Sequence, residues 1–498
     1  MNVNPITRLD YPDPDVIRVE DTYYMVSTTM HFMPGCEILQ SFDLVHWEHV
    51  TYVYETLDHT DAQQLKSGQN IYGQGMWAAS LRYHEGRFCI CFVANDTRKT
   101  YLYTSEKIDG PWKKQLIEGF YHDGSLLFDE DGRNYIVYGN DEIWITELNE
   151  DLTAPKKDGL HRLLVSDHKN PELGYEGSHI QKINGYYYIF LIHSLRDRWM
   201  RTEACFYSDS LEGEFTGGDV LCDDRGYCGQ GVAQGGIVDT PDGKWYAMLF
   251  QDSGAVGRIP ILVPVTWKDH FPFFGQNGHV PEEIEVHSTR PGYIYQPLVG
   301  SDDFCNGLLP HWQFNHDPDP RYYHLDALQG TYTITTREVC TELTQAVNTL
   351  TQRMGYPSCA AEVTVDASAL KEGDVAGLCA LQSCYAAVGI TKHHGKYEVL
   401  MLDKKEDGIL DMTEGTVVES HQMDFRLEAD FCNMKDEARC YYRVNKGDWL
   451  PIGTVHKLYF KLDHFTGCRF GLFCYAAEET GGSACFRDFK YYDVDEIS

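Results

Sequence analysis

The sequence is poor in basic residues: 42 Lys and Arg stand against 75 Asp and Glu in 498 positions, a formal net charge of −33 at pH 7. Such a surface repels phosphate backbones and anionic membranes, so neither nucleic acid nor a lipid surface is expected as a partner. No run of about 18 apolar residues occurs, and the first 30 residues lack a basic start followed by an apolar core. Neither a membrane span nor an export signal is therefore expected, and the chain reads as cytoplasmic. Phosphate-binding glycine loops of the G-x-G-x-x-G and G-x-x-x-x-G-K-[ST] types are absent, as are H-E-x-x-H and the G-x-S-x-G elbow, which removes the commonest nucleotide, zinc-protease and serine-hydrolase readings. The 16 cysteines contain no C-x-x-C pair. Cys89 and Cys91 alone are close, and at i, i+2 on a strand they are read as small apolar core residues. Free thiols in this number fit a reducing compartment. Helical periodicity is also scarce.

What the chain does contain is a repeat. Five segments join a turn residue to an aromatic-rich strand: "DTYYMVST" from Asp21, "GRFCICFVA" from Gly86, "GRNYIVYGN" from Gly132, "GYYYIFLIH" from Gly185 and "GKWYAMLFQ" from Gly243. The turn residue suits a hairpin and the β-branched and aromatic residues suit a strand inside a sheet. Spacings of 65, 46, 53 and 58 residues leave room for one four-stranded antiparallel sheet per copy. Several copies carry a later Ser/Asp-rich turn with an aromatic, as in "SFDLVHW", "SEKIDGPW" and "SDSLEGEF". The expected fold is all-β, with residues 1–295 forming a five-bladed β-propeller. Residues 301–498 read as short alternating strands, among them "CAAEVTVDA" from Cys359, "AAVGITKH" from Ala386, "YEVLMLD" from Tyr397 and "LYFKLDH" from Leu458, which predicts a β-sandwich.

Counting back from each turn residue picks out Asp13, Trp77, Asp123, Glu176 and Gln234 at one phase. If the strand before each turn is innermost in its blade, these five side chains surround the central channel. Three carboxylic acids converging in a concave site cost energy unless they are used. Glycoside hydrolysis uses such a set: one carboxylic acid protonates the leaving oxygen, one carboxylate activates water or attacks the sugar, and a third can hold the acid protonated by like-charge repulsion. Trp77 adds an apolar face for a sugar ring. Three carboxylates also suit calcium, and at this point that use stays open. Asp15, two residues past Asp13, falls outside the phase and is expected to bond to backbone.

These motifs resemble glycoside hydrolase family 43, in its two-domain β-xylosidase and α-L-arabinofuranosidase branch. The resemblance rests on "NPITRLDYPDPDVIRVEDTYYMVST", "GMWAASLRYHEGRF", "HDGSLLFDEDGRNYIVYG", "YEGSHIQKINGYYYIF" and "VGRIPILVPVTW". It implies a five-bladed propeller followed by a concanavalin-A-like sandwich packed against it, an inverting exo-acting glycosidase releasing terminal xylose or arabinofuranose from oligosaccharides, and no required cofactor. It also implies roles: Asp13 as general base, Glu176 as general acid, Asp123 to orient the acid and tune its pKa, Arg258 to contact the terminal sugar, and Trp77 and Phe32 as hydrophobic walls. Inversion implies roughly 6.5–9.5 Å between Asp13 and Glu176. Gln234 stands where many relatives carry a histidine, which weakens the inference of a calcium ion in the channel while leaving it open; an amide there can still hold water. Arg353 or its neighbours are expected near the pocket rim. Which sugar is preferred, and whether the chain forms a homo-oligomer, stay open.

Overall fold

The computed structural model describes residues 3–413 and 415–493; the first two and last five residues of the two expected domains lie outside these. Each of the five aromatic segments forms the second strand of an antiparallel sheet. In blade 1 the strands are Asp15–Val19, Thr22–Ser27, Gly35–Ser41 and Glu48–Tyr54, and blade 2 runs from Met76–His84 through Arg87–Ala94 and Lys99–Ser105 to Lys113–Ile117. Blade 3 begins with Ser125–Phe128 and Asn134–Asn140, blade 4 with Glu176–Ile183 and Tyr186–Ser194. In blade 5 the first strand is split into Val232–Ala233 and Ile237–Asp239, both paired with Trp245–Asp252. The turn with Trp47 joins the third and fourth strands of its blade, as do those with Trp112 and Phe215.

The second strands read as nearly unbroken apolar runs because each blade packs a neighbour on both faces; Tyr186–Ser194 is buried from Tyr187 onward. Cys89 and Cys91 lie on the second strand of blade 2, both buried, with burial pushing their thiols up to about 11 and 12. The first strands line the axis. From the first strand of blade 2, the Arg82 guanidinium donates to Asp15 of blade 1 at 2.7 Å, to the Ser125 hydroxyl of blade 3 at 2.7 Å and to the Ile180 carbonyl of blade 4 at 3.2 Å. One cation thus ties four blades. The ring closes where the Asn4 amide exchanges two 2.8 Å hydrogen bonds with the Leu262 backbone of blade 5 and where Arg18 pairs with Asp239.

Beyond residue 300 two sheets face each other. One contains Leu350–Arg353, Arg469–Ala476, Asp374–Leu381 and Ala386–His393; the other contains Ser358–Asp366, Gln422–Asp430, Glu437–Val444 and Ser483–Asp493. Their inner faces share one large apolar core, including Phe425, Leu427, Leu472 and Phe486. One expectation fails. "LYFKLDH" from Leu458 is not a strand but a loop, held by Leu458 N–H to the Asp436 carbonyl and Phe465 N–H to the Lys461 carbonyl. Its alternation misleads because Leu462, 71% exposed, points out while the backbone turns toward the propeller.

The two halves are joined through buried polar contacts. Arg353 pairs with Glu37 at 2.8 Å, donates to the Asp10 carbonyl and lies 4.0 Å over the Tyr11 ring. Asp436 accepts from the Ala255 N–H of blade 5, and the Tyr72 hydroxyl donates to the Thr344 carbonyl. Phe32–Met33, from the second loop of blade 1, pairs with Gln313–Asn315 and becomes a strand of the sandwich.

Candidate active site

Side chains alternate along a strand, so aiming one residue per blade at the axis requires a local kink. Each first strand has one at its start. Asp13, Asp123 and Gln234 take φ of 53°, 48° and 62°, in the left-handed region. A one-residue register shift follows Trp77 and another follows Glu176. The equal phase counted in the sequence is the place where each blade's first strand departs from regular pairing.

Three carboxylates are gathered there. Asp13 accepts from the Thr28 hydroxyl at 2.6 Å and from Arg258 Nη1 at 2.9 Å. Asp123 is buried and accepts from the Gly177 N–H at 3.1 Å. Glu176 accepts from the Asn140 amide at 2.7 Å through Oε2. His122 stands between the last two, its Nε2 lying 3.6 Å from Asp123 Oδ2 and 3.6 Å from Glu176 Oε2. The Asp123 charge, helped by Glu176 and Asp13, pushes the imidazole up to about 9. Burial pushes Asp123 up to about 6, and the charges of Glu176 and Asp13 push the same way against the pull of His122.

The walls form a chain of ring and cation contacts. The Arg258 guanidinium lies 4.1 Å over the Phe465 ring, Phe465 is 5.4 Å from Trp77 between ring centres, and Trp77 is 6.0 Å from His122. Phe465 comes from the sandwich. Asp10 fixes the first two links of this chain to each other: its carboxylate accepts from the Arg258 N–H at 2.7 Å and from the Gly467 N–H, two residues past Phe465, at 2.8 Å. Gln234 packs its amide against Gly177, where an added Cβ would come within 2.7 Å; only glycine allows that approach at φ 64°. The Gln234 N–H is held by Glu203 at 2.7 Å, a fully buried carboxyl whose pKa burial raises.

Two sequence-based placements need correction. Phe32 does not stand beside the carboxylates: it is 2% exposed, packs into the sandwich with Leu343, Leu381 and Phe473, and lies under Arg469 at 3.4 Å. Its strand pairs with the sandwich sheet, and that pairing turns the ring away. Arg353 is 2% exposed and spent on Glu37, so it is not at the rim. Asp15 does accept from backbone, the Leu81 N–H at 2.7 Å, but it also pairs with Arg82 and His179.

His122 opens the motif "HDGS" and Asn140 closes the second strand of the same blade, yet periodicity singles out neither. Phe465 left no local signal at all, being 452 positions from Asp13.

Calcium fits the channel poorly. Both Asp15 oxygens are taken by Arg82, Leu81 and His179, and the axis already holds a guanidinium. The ligand-type atoms of His122, Asp123 and Glu176 lie within 4.8 Å of one another, but an imidazole raised to about 9 is itself the local cation at neutral pH.

The family model "Glycosyl hydrolases family 43" matches residues 3–272, and "Beta xylosidase C-terminal Concanavalin A-like domain" matches residues 301–492. A "Beta-xylosidase" of Formosa agariphila is 26% identical over 99% of this chain and 89% of its own length. The "Non-reducing end alpha-L-arabinofuranosidase BoGH43B" of Bacteroides ovatus is 25% identical over 66% of this chain and 63% of its own. The solved structure "Bifunctional GH43-CE" of Bacteroides eggerthii is 42% identical over 99% of this chain, with a TM-score of 0.92. This chain spans 63% of that protein's length.

Proposed function

Because the chain belongs to glycosyl hydrolase family 43, we propose that it is an exo-acting, inverting glycosidase that removes terminal β-D-xylosyl or α-L-arabinofuranosyl units from xylan-derived oligosaccharides. The observation that carries this is the delivery of Asp13, Asp123 and Glu176 from three blades to one site walled by Trp77, Arg258 and Phe465.

In this reading Asp13 is the general base. Thr28 and Arg258 fix its carboxylate so that it takes a proton from the attacking water on one face of the sugar. Glu176 is the general acid. Asn140 fixes Oε2, so the proton delivered to the leaving oxygen is carried on Oε1. Asp123 touches neither leaving group nor water; it orients the Gly177 backbone beside the acid and holds His122 protonated. The imidazolium in turn stands over the Glu176 carboxylate left when the proton has gone. Trp77 and Phe465 give a sugar ring apolar faces, while Arg258 Nε and Trp77 Nε1, both buried without a protein acceptor, are donors for its hydroxyls. The sandwich loop closes the pocket behind the terminal sugar, which favours single-unit release.

Nitrophenyl β-xyloside and α-arabinofuranoside assays on wild type, Asp13→Ala and Glu176→Ala test the roles, with proton NMR of the first-formed product. We expect α-xylose from a β-xyloside and loss of turnover in both variants. Unchanged turnover in Asp13→Ala sinks its assignment, unchanged turnover of xylobiose in Glu176→Ala sinks the acid assignment, and retained configuration sinks the base role of Asp13. All 16 cysteines are unpaired, which supports a reducing compartment and short imported substrates; recovery of the protein outside the cell in fractionation would overturn that placement.

A further inference from the structure

The position of the sandwich decides where the rest of the substrate lies. It grips blade 1 through Glu37 and Phe32, blade 2 through Tyr72, and blade 5 through Ala255. Among the described residues no hydrogen bond or ion pair joins the strands of blades 3 and 4 to residues beyond 300. On that side, among the described residues, the sandwich touches only the connection after blade 4, where the Tyr227 and Tyr356 rings lie 6.3 Å apart, and the leaving sugar is placed over this less covered sector.

In an antiparallel blade whose first strand starts at the site, the loop between the second and third strands returns to the same face. In blade 3 this loop is a tight turn at Asp141, between Asn140 and Glu142. In blade 4 it is residues 195–200, and it carries Trp199, 45% exposed. The loop is built rather than loose. Met200 N–H donates to the Ser194 hydroxyl at 2.8 Å, and Arg196 pairs with Asp167 of the preceding connection.

Trp199 is linked to the site through a series of cation–ring contacts. The Arg201 guanidinium, held by Asp252 at 2.6 Å, lies 5.2 Å from the centre of the Trp199 ring and 5.3 Å from that of Phe250. Phe250 in turn lies 5.4 Å from the Arg258 guanidinium, the same group that holds Asp13. One face of the indole thus rests on a buried, braced cation while much of the rest is open at the edge of the less covered sector.

We propose that Trp199 is the platform for the leaving xylopyranosyl residue, which deepens the glycosidase reading and rests on it. A β-xylopyranose has its substituents equatorial and so presents a flat face of axial C–H groups, which suits an indole ring. Arg201 acts only by holding that ring.

The test compares kcat/KM for xylobiose with that for β-D-xylosyl fluoride, whose leaving group has no ring to stack. In Trp199→Ala the ratio of the two should fall about tenfold, which corresponds to about 1.4 kcal/mol, and Trp199→Phe should recover part of it. If Trp199→Ala does not fold, Trp199→Leu carries the same test, being apolar without a flat ring. An unchanged ratio in an active enzyme, or an equal fall on both substrates, overturns the platform alone. A wild type inert toward both xylosides but active on nitrophenyl α-arabinofuranoside overturns the platform alone, and one inert toward all three overturns the glycosidase reading and the platform with it.

Discussion

The guanidinium of Arg258 lies 4.1 Å over the ring of Phe465 while its Nη1 holds Asp13 at 2.9 Å. A residue of the sandwich therefore shields the cation that orients a carboxylate of the propeller. Replacing Phe465 with Ala should open this wall and hydrate Arg258. Removing a cation–π interaction from a partly desolvated site costs about 1–2 kcal/mol, so kcat/KM on nitrophenyl xyloside should fall about tenfold, mostly through KM, with Phe465→Tyr close to wild type. An unchanged KM in Phe465→Ala would show that the loop is no part of the pocket.

That wall marks the limit of what could be read from the sequence. The blades were legible because each repeats one local pattern, a turn residue followed by an apolar strand. The phase of Asp13, Trp77, Asp123, Glu176 and Gln234 was legible because each stands at the irregularity with which its blade's first strand begins, a left-handed residue or a register shift. Phe465 and Phe32 were not. Which way each ring turns depends on how two separately patterned halves dock, and that is set by pairings such as Asp10 to Gly467 and Met33 to Phe314, for which local periodicity carries no information. The stretch from Leu458 shows the same failure, since alternation alone cannot distinguish an edge strand from a loop with one buried end.

The two proposed catalytic carboxylates should separate by leaving group. Acid–base assistance is worth about 10²–10⁴-fold, so Glu176→Ala should lose about 10³-fold on xylobiose but much less on dinitrophenyl xyloside, whose leaving oxygen needs no proton. Asp13→Ala should lose a similar factor on both substrates. Equal losses across leaving groups in Glu176→Ala would remove it as the acid.

His122 should give the fold a pH-dependent contribution. Its folded pKa, raised to about 9 from the ordinary 6.5, means that protonation favours the native state. The contribution is complete below about pH 6.5 and is lost as pH rises through about 9, with a ceiling of about 3 kcal/mol. Asp123, raised to about 6 from 3.8, acts in a separate window: the cost of its burial grows as pH rises from about 4 to 6. The melting-temperature gap between wild type and His122→Asn should therefore be widest near pH 6 and narrow steadily toward pH 10. A gap constant over that range would contradict a protonated His122.

Glu37 and Arg353 form a fully buried pair between the two halves. Removing one partner strands the other charge, so Glu37→Met should destabilise the protein by about 3–5 kcal/mol. The double variant Glu37→Met, Arg353→Met should regain much of that loss, because neither charge then needs water. Thermal unfolding of the three proteins decides this, and a double variant no more stable than Glu37→Met would show that the pair is worth more than its desolvation.

Two residues of the propeller, Phe32 and Met33, supply a strand to the sandwich beside Gln313–Asn315. Cutting the chain near residue 300 would strip that strand away and leave Phe314 and its neighbours as a naked sheet margin, the kind of surface on which foreign strands add and aggregates grow. The same two residues pin the second loop of blade 1. Anyone wishing to graft this catalytic half onto another partner would have to redesign a piece of each half at once, since the seam between them runs through a shared sheet.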